Sequence, residues 1–352
     1  MESCQAPRVY AWPRRLPSNK YPELLYGALS KQGVDVRPLR WRVKSILRAA
    51  GERHANKWLH FHWVGYSGRS LTVTCAYWIL IFLGMTALKF GGLRLAWTVH
   101  NLTPHNSRWR KINRLGYSLL LSRMVDVVFT HAEWTRERLE QEYKWSGNTV
   151  VVPHGNYCGV YPNTISKAAI RDRYLCPHDS FVFLFVGSLS NYKGLDVLIE
   201  NFKKLNGADL RLWIVGAGNE TVCRQLKSLS AGDPRIMIDT RFVPDDELGS
   251  LLSAADVVVL PYKEITTSGS LVLALSFGKP VIAPAVGSIP EYADSDCAFL
   301  YDPDIREGLI LAMRQSLTAD LQAMGHHAVN LASKWSWDIV ARKFADVFVH
   351  NS

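Results

Sequence analysis

Two glycine- and hydroxyl-rich stretches in the second half of this 352-residue chain could bind phosphate. One, residues 186–194, contains Gly187, Ser188 and Lys193, and the other, residues 261–270, ends in Thr267–Ser270 ahead of an apolar run. A helix that begins after small hydroxyl residues presents unpaired backbone N–H groups and the positive end of its dipole to an anion. Lys193 would add a positive charge opposite a diphosphate. The alternatives are simple N-capping for the hydroxyl residues and a solvated loop position for Lys193.

A third stretch, residues 214–220, is another glycine loop after an apolar run, with Gly216 at its first turn. Alone it is a weak signal, because the third glycine of a dinucleotide-binding fingerprint is missing. It becomes informative together with the other two stretches, because it lies between them in the sequence.

The first half of the chain carries histidines at the ends of predicted strands, namely His60, His62, His100, His105 and His131. Strand ends of a parallel sheet line the same cleft. Imidazole exchanges protons near neutral pH, so the group predicts a general base that takes the proton of an attacking hydroxyl. His100 is the first choice, because a turn-forming Asn-Leu-Thr-Pro follows it. For any single histidine, His154 included, a hydrogen-bonded structural role is the alternative.

Short β-rich runs alternate with longer helical patterns along the whole chain, which favours an α/β fold with parallel sheets. The runs predicted as strands are 8–12, 34–38, 58–63, 95–100, 126–130, 149–153, 181–186, 210–215, 236–239, 256–260 and 281–283. Predicted helices include 21–32, 108–123, 194–205, 245–254, 270–277 and 337–348. Two Rossmann-like halves would leave a cleft at the carboxyl ends of both sheets.

The join between the halves is predicted near residues 161–176, which are polar and charged. We therefore expect a first domain over 1–165, a second over 166–335, and a terminal helix over 336–352 that crosses back to the first domain.

The amino-acid composition excludes several classes of protein. Hydrophobic residues make up 48% and charged residues 20%, which excludes disorder, collagen and coiled coil. Residues 1–165 hold 23 Lys/Arg and 9 Asp/Glu, so the first half is strongly basic and the remainder mildly acidic. A basic half suggests a polyanion, a diphosphate or an anionic membrane surface, although no nucleic-acid-binding module is present. Six cysteines without a CxxC pair are typical of reduced thiols in a cytosolic compartment.

An uncharged segment of 19 residues, Ser70–Leu88, approaches the length of a bilayer span. Closely flanking strands favour a buried or membrane-dipping helix, because a span would put those strands on opposite sides of the membrane. The next helix, 108–123, mixes basic and apolar residues as interfacial helices do, or else presents an ordinary solvated face.

Taken together with residues 241–248 and 254–257, the three loops resemble the second domain of GT-B glycosyltransferases of the large retaining group called family 4 and its relatives. The segments Leu59–Trp63 and Thr98–His105 resemble bacterial exopolysaccharide glycosyltransferases, most nearly the β-mannosyltransferases of xanthan-type assembly. That resemblance implies two Rossmann-like domains facing across a cleft and transfer of mannose from GDP-mannose to a polyprenyl-diphosphate-linked oligosaccharide. It also implies a peripheral or monotopic protein on the cytoplasmic face of the inner membrane.

Roles follow for individual residues. The expected donor-binding residues are Gly187, Ser188, Lys193, Gly216, Phe242, Val243, Glu264, Thr267, Ser268, Gly269 and Ser270. The expected acceptor-binding residues are His60, His62, Trp63 and Asn101, and the expected catalytic residues are His100, His105 and Lys193. No metal or other cofactor is expected, since the two Asp-x-Asp matches, at 294–296 and 302–304, lie in turn-like context.

Several positions depart from the family-4 pattern. Ser188 stands where that pattern has arginine, and Ile265 and Leu273 stand where it has two glutamates; Glu264 is one residue away. These departures favour an inverting reaction. The alternatives are a UDP-sugar-dependent glucosyl or glucuronosyl transferase of the same fold, a nucleotide-sugar 2-epimerase, and a non-catalytic assembly partner.

Overall fold

The computed structural model describes residues 5–17, 19–65, 68, 70–103 and 108–350. Its contacts divide the chain into unit 1, residues 1–155 with 335–352, and unit 2, residues 156–334. The division follows Gly155, ahead of the predicted boundary after residue 165.

The segment predicted as a join contains helix Lys167–Arg173 and belongs to unit 2. Arg171 explains the difference, because its buried guanidinium donates to the carbonyl oxygens of Ser180 and Ala254 and to the Asp256 carboxylate. A charged side chain whose donors are all satisfied can be buried, so the polar composition of this segment did not mark a linker.

Unit 1 is built on one six-stranded parallel sheet in the order β2-β1-β3-β4-β5-β6. The strands are β1 (Arg8–Trp12), β2 (Asp35–Pro38), β3 (Lys57–Phe61), β4 (Leu93–Val99), β5 (Val127–Thr130) and β6 (Thr149–Val151). The helices are α1 (Tyr21–Lys31), α2 (Val43–Gly51), α3 (Leu71–Phe90), α4 (Arg110–Arg123), α5 (Glu133–Tyr143) and α14 (Trp337–His350).

Unit 2 has a second parallel sheet in the order β12-β11-β10-β7-β8-β9. Its strands are β7 (Phe181–Val186), β8 (Leu210–Val215), β9 (Ile236–Asp239), β10 (Val257–Val259), β11 (Val281–Pro284) and β12 (Ala298–Tyr301). Its helices are α6 (Lys167–Arg173), α7 (Leu195–Lys203), α8 (Glu220–Ser230), α9 (Asp245–Ala254), α10 (Gly269–Ser276), α11 (Ile289–Tyr292), α12 (Gly308–Ser316) and α13 (Leu321–Ser333). This strand order places the topological switch point between β7 and β10, where open α/β sheets bind ligands beyond the carboxyl ends.

Both faces of the unit 1 sheet are covered, as parallel sheets require. One face packs Phe61 and Trp97 against α2–α5, and the other packs Trp58 and Phe129 against α1 and α14. The terminal helix α14 buries Phe344 and Phe348 in this second core, so it is an integral layer of unit 1.

Helix α3 connects β3 to β4, and these two strands pair directly in parallel register. It is therefore the crossover helix of a β-α-β unit. Among the described residues, α3 is the one helix long and apolar enough to cross a bilayer by length and composition, yet only 33% of its most apolar stretch is buried in the protein.

Candidate functional site

Three loops of unit 2 meet at the carboxyl edge of its sheet. A Cβ at Gly216 would lie 1.8 Å from the carbonyl oxygen of Gly187, and one at Gly194 would lie 1.9 Å from that of Pro261. Gly194 has a φ of +70°, which favours glycine as well. The backbone N–H of Lys263 donates to the Tyr192 carbonyl at 3.0 Å. The stretches that follow β7, β8 and β10 thus form one continuous edge at the switch point.

Helix α10 begins at this edge. Ser268 is its N-cap, since Ser268 Oγ accepts from the Leu271 N–H at 3.1 Å and lies 2.9 Å from Tyr262 Oη. The capping alternative is therefore realised at Ser268, while the backbone N–H groups of Gly269 and Ser270 lie in the first turn, where helices leave such groups unpaired. The Ser270 hydroxyl lies 3.6 Å from the Cβ position of Gly187. The buried Thr267 Oγ1 has no hydrogen-bond partner among the residues that the structure describes.

Lys193 supplies positive charge close to this helix start. Its Nζ lies 4.3 Å from the centre of the Tyr262 ring and 4.9 Å from that of Tyr192. Burial opposes the charged form, but the two tyrosines outweigh burial and raise the pKa of Lys193 above its ordinary value. A helix N-terminus and a positively charged lysine at one edge can stabilise a diphosphate.

The loop after β9 presents an aromatic ring beside the same sheet. Arg241 donates to Asp239 at 2.6 Å and to Glu247 at 2.8 Å, which fixes the backbone before Phe242. Hydrogen bonds from Arg241 hold the pKa of Glu247 below its ordinary value. Phe242 is 55% exposed whereas Val243 is buried, so the loop offers a flat apolar face on which a nucleobase could stack.

The departures from the family-4 pattern have a structural counterpart. Ser188 and Glu264 are exposed, whereas Ile265 and Leu273 are buried. The two positions that carry glutamate in that pattern are therefore apolar core positions here, and neither can contact a ribose through a carboxylate.

In unit 1, five histidines end up side by side because of strand periodicity. Successive residues of a strand alternate between faces, so the pairs 60/62, 98/100, 129/131 and 152/154 point to the face covered by α1 and α14. Ring centroids are 5.3 Å apart for His62 and His100, 5.0 Å for His100 and His131, and 5.3 Å for His131 and His154. Tyr21 lies at the centre of this histidine cluster, 4.9 Å from His100.

Members of the histidine cluster are neutral at physiological pH. Burial lowers the pKa of His60 to about 3, that of His131 to about 4 and that of His154 to about 3. Burial also holds the pKa of His62 and of His100 well below the ordinary value, with neighbouring histidines adding to the effect. A neutral imidazole has one nitrogen that can accept a proton, which general-base chemistry requires.

The predicted residues of unit 1 differ in accessibility. His100 is 8% exposed and stacks on Trp63 at 4.2 Å, and both Trp63 and Asn101 are partly exposed. His62 is 1% exposed and His60 has no exposed surface. Burial therefore disfavours the predicted role of His60 in acceptor binding. His105 lies outside the described residues.

Tyr21 and Tyr26 of α1 are members of this site that the sequence did not identify. Both are fully buried against the histidines. A helix pattern marks them as apolar-face positions, and only the docking of α1 on the sheet reveals which side chains they meet.

The late Asp-x-Asp matches lie in turns. Asp294 accepts from the Asp296 N–H at 3.0 Å and pairs with His327 at 3.1 Å, and Asp302 accepts from the Asp304 N–H. The ligand atoms of Asp294, Asp296 and His327 lie within 4.8 Å of one another on the surface. Asp294 and Asp296 share one turn, whereas His327 lies on α13 and reaches Asp294 from outside that turn. Independence from metal stays a prediction.

Comparisons with known proteins agree with this geometry. A family model described as glycosyl transferases group 1 matches residues 180–319. The GDP-mannose:glycolipid 4-beta-D-mannosyltransferase of Xanthomonas campestris pv. campestris is 30% identical over 268 residues, which cover 74% of this chain and 71% of that protein. The D-inositol 3-phosphate glycosyltransferase of Corynebacterium aurimucosum is 27% identical over 293 residues, covering 77% and 70%.

Among solved structures, sucrose-phosphate synthase from Thermosynechococcus elongatus superposes with a TM-score of 0.76 at 16% identity, covering 97% of this chain and 98% of the other. The fold similarity confirms the predicted GT-B architecture, and the sequence matches confirm the resemblance drawn from the loops. This chain belongs to the group 1 glycosyltransferases and is a hexosyltransferase of the GT-B fold.

Proposed function

We propose that the enzyme transfers mannose from GDP-mannose, with inversion, to a polyprenyl-diphosphate-linked oligosaccharide in bacterial exopolysaccharide assembly. The observation that carries this proposal is the loop edge of unit 2, where the start of α10 and the charge of Lys193 meet at the switch point between β7 and β10. The 30% identity to a GDP-mannose-dependent glycolipid mannosyltransferase supports the choice of donor and acceptor.

The reaction needs a leaving-group site and a base. The acceptor oxygen forms a bond to the anomeric carbon while the bond from that carbon to the phosphate oxygen breaks, and the electron pair leaves with the nucleoside diphosphate. The amides of Gly269 and Ser270 and the charge of Lys193 stabilise the developing negative charge. His100 takes the proton of the acceptor hydroxyl. Since these groups supply both functions, we propose that the enzyme requires no metal.

A donor and acceptor screen tests the function. Purified enzyme is incubated with GDP-mannose, UDP-glucose or UDP-glucuronate and a polyprenyl-diphosphate oligosaccharide, with and without chelator, and the product is analysed by mass and by NMR of the anomeric proton. We expect one added hexose from GDP-mannose alone, β-linked, with or without chelator. Transfer from a UDP-sugar would replace the donor assignment, and epimerised nucleotide-sugar without acceptor would replace transfer by isomerisation. Failure to bind any nucleotide-sugar would indicate an assembly partner.

We further infer that unit 1 works against the cytoplasmic face of the inner membrane as a peripheral protein. Helix α3 buries one stripe containing Trp78, Ile81 and Met85 and exposes an opposite face without a charged residue. The large exposed apolar side chains of that face are Leu71, Val73, Ile79, Leu80, Leu83 and Phe90. Soluble surfaces seldom expose so large a contiguous apolar face.

The helices beside α3 extend this apolar face and add basic charge. Helix α2 exposes Val43 and Leu47, and α4 exposes Leu115 and Leu119; both helices contact α3. Exposed basic residues accompany them, namely Arg42, Lys44 and Arg48 near α2 and Arg110, Lys111 and Arg114 on α4. Apolar side chains beside lysine and arginine match the interface of an anionic bilayer.

Vesicle sedimentation tests this second proposal. We expect the enzyme to pellet with vesicles containing anionic phosphatidylglycerol at low salt and to be released progressively as salt rises, because salt screens the basic residues. Equal binding to pure phosphatidylcholine vesicles at all salt concentrations would contradict the proposed attraction between the basic residues and anionic lipid. Recovery in the supernatant with both vesicle types would contradict membrane docking altogether.

A further inference from the structure

The histidine cluster of unit 1 contains a continuous hydrogen-bonded chain that ends at His100. His100 Nε2 lies 3.1 Å from His62 Nδ1, and His62 Nε2 lies 2.8 Å from the hydroxyl oxygen of Tyr26. The same hydroxyl lies 3.2 Å from His60 Nδ1, and His60 Nε2 lies 2.7 Å from Thr98 Oγ1. Each ring nitrogen of His60 and His62 is therefore engaged within the chain.

One end of this hydrogen-bonded chain is fully buried, and the other end, His100, is slightly exposed to solvent. Thr98, His60 and Tyr26 have no exposed surface, and His62 is 1% exposed. His100, at 8%, is the member of the chain with the most access to a bound substrate. A group behind His100 can consequently act on a substrate only through His100.

We propose that Tyr26 and His62 are positioning residues that fix the tautomer of His100, so that its Nε2 carries the hydrogen and its Nδ1 receives the proton of the acceptor hydroxyl. This inference rests on the proposed transferase function and deepens it.

The backbone carbonyl oxygen of His60 can only accept a hydrogen bond, and this orients the hydrogen bonds between Tyr26, His62 and His100. The carbonyl oxygen of His60 lies 3.3 Å from the Tyr26 hydroxyl, so the Tyr26 O–H points toward His60 and leaves its oxygen lone pairs to accept. His62 Nε2–H then donates to Tyr26, which leaves His62 Nδ1 without a hydrogen. His62 Nδ1 accepts from His100 Nε2–H, and because a neutral imidazole has one N–H, His100 Nδ1 is unprotonated.

Proton transfer to His100 strengthens this chain. When Nδ1 takes the hydroxyl proton, His100 becomes an imidazolium and its Nε2–H bond to His62 becomes charge-assisted. The groups that face His100 are His62, His131, His154 and Tyr21, together with the stacked Trp63. Among the described residues, His62 lies within hydrogen-bond distance of His100, and through that bond it orients the ring without supplying the negative charge of a carboxylate.

NMR of the enzyme labelled with ¹⁵N-histidine tests the tautomers directly and needs no substrate. We expect the neutral ring of His100 to carry its hydrogen on Nε2 at pH 7, and that of His62 to do the same. A hydrogen on Nδ1 of His100 would overturn the proposal, because that ring would be a donor to the substrate and not a base. This readout is independent of whether mannose is the sugar transferred.

Removal of one hydroxyl tests the function of the chain. Tyr26→Phe keeps the ring and removes the acceptor of His62, so we expect kcat to fall at least about tenfold, with the donor KM within twofold and a mixed His100 tautomer. Tyr10→Phe, which removes a hydroxyl bonded to Glu52 on the opposite face of the sheet, controls for generic loss of a buried hydroxyl and should leave all three unchanged. A Tyr26→Phe variant with wild-type kcat and an unchanged tautomer would overturn the proposal.

Failure of the wild type to transfer any sugar would instead refute the proposed function, while the tautomer measured by NMR would still stand.

Discussion

At the residue scale, Lys193 and the histidines are buried ionisable groups with opposite outcomes. Lys193 keeps its charge because the Tyr192 and Tyr262 rings surround it, and the histidines lose theirs because burial and mutual repulsion oppose protonation. The first can stabilise a negative leaving group, and the second are held in the neutral form from which a general base acts, with a basicity that burial reduces. The proposed division of roles between the two units therefore rests on the surroundings of these side chains.

Lys193→Ala tests the first role. Loss of a charge beside the leaving diphosphate should lower kcat about 100-fold with the fold intact, since removal of one preorganised group that stabilises developing charge typically costs at least about that much. Circular dichroism verifies folding, and Lys204→Ala, at an exposed lysine near the end of α7, is the matched control. Wild-type turnover in Lys193→Ala would remove this residue from the donor site.

The buried histidines also predict a dependence of stability on pH. Their lowered pKa values mean that the unfolded chain, with pKa values near 6.5, binds protons that the folded chain excludes. Stability is therefore complete above pH 6.5 and falls as the pH drops toward 4, by up to about 1.4 kcal/mol per pH unit for each histidine. Urea unfolding at pH 7.5, 6.5 and 5.5 measures the slope. His154→Gln should reduce it, and a slope of zero in the wild type would contradict burial in the neutral form.

At the element scale, α3 is the helix on which the proposed contact with a membrane depends. Its buried stripe holds it on the sheet between α2 and α4, and the described residues of unit 1 leave its uncharged outer face exposed. The prediction of a membrane-dipping helix and that of a spanning helix differ in whether β3 and β4 remain in one sheet. Their direct pairing favours the first.

Two charges on the outer face of α3 test this role. Leu80→Glu with Leu83→Glu should weaken binding to anionic vesicles at least about tenfold, because each leucine contributes apolar area to the interface. Activity on a short-chain water-soluble acceptor should stay near that of the wild type. The control, Leu311→Glu with Val329→Glu, places the same charges at exposed apolar positions of α12 and α13 in unit 2. Equal vesicle binding by both variants would exclude α3 as the docking face.

Elements could be predicted from the sequence where they are continuously apolar. The run Phe181–Val186 was predicted with its true bounds because a buried parallel strand reads as an unbroken apolar stretch. Edge strand β12 was missed because it is short, only partly buried and preceded by acidic turn residues. The histidines at strand ends were visible as a pattern, but Tyr26 was not, since its contact with His62 depends on how α1 docks on the sheet.

At the scale of the whole molecule, charge and topology separate two tasks. The basic excess lies in residues 1–165, which also supply the apolar helices α2–α4, whereas the remainder of the chain is mildly acidic and carries the loop edge that we propose binds the diphosphate through backbone amides and one buried lysine. Net charge therefore indicates the part of the chain that we propose meets a membrane, but it gives no sign of the proposed phosphate site. A helix start contributes partial charges that no count of residues records.

The central claim is that the loop edge of unit 2 binds the diphosphate of the donor, and hydrogen–deuterium exchange with GDP-mannose tests it most directly. We predict slower exchange of the amides in 187–194 and 267–271 when donor is added to the wild type, and no such protection in Lys193→Ala at the same donor concentration. Protection that is absent from both stretches in the wild type, with donor bound elsewhere in the chain, would contradict the account.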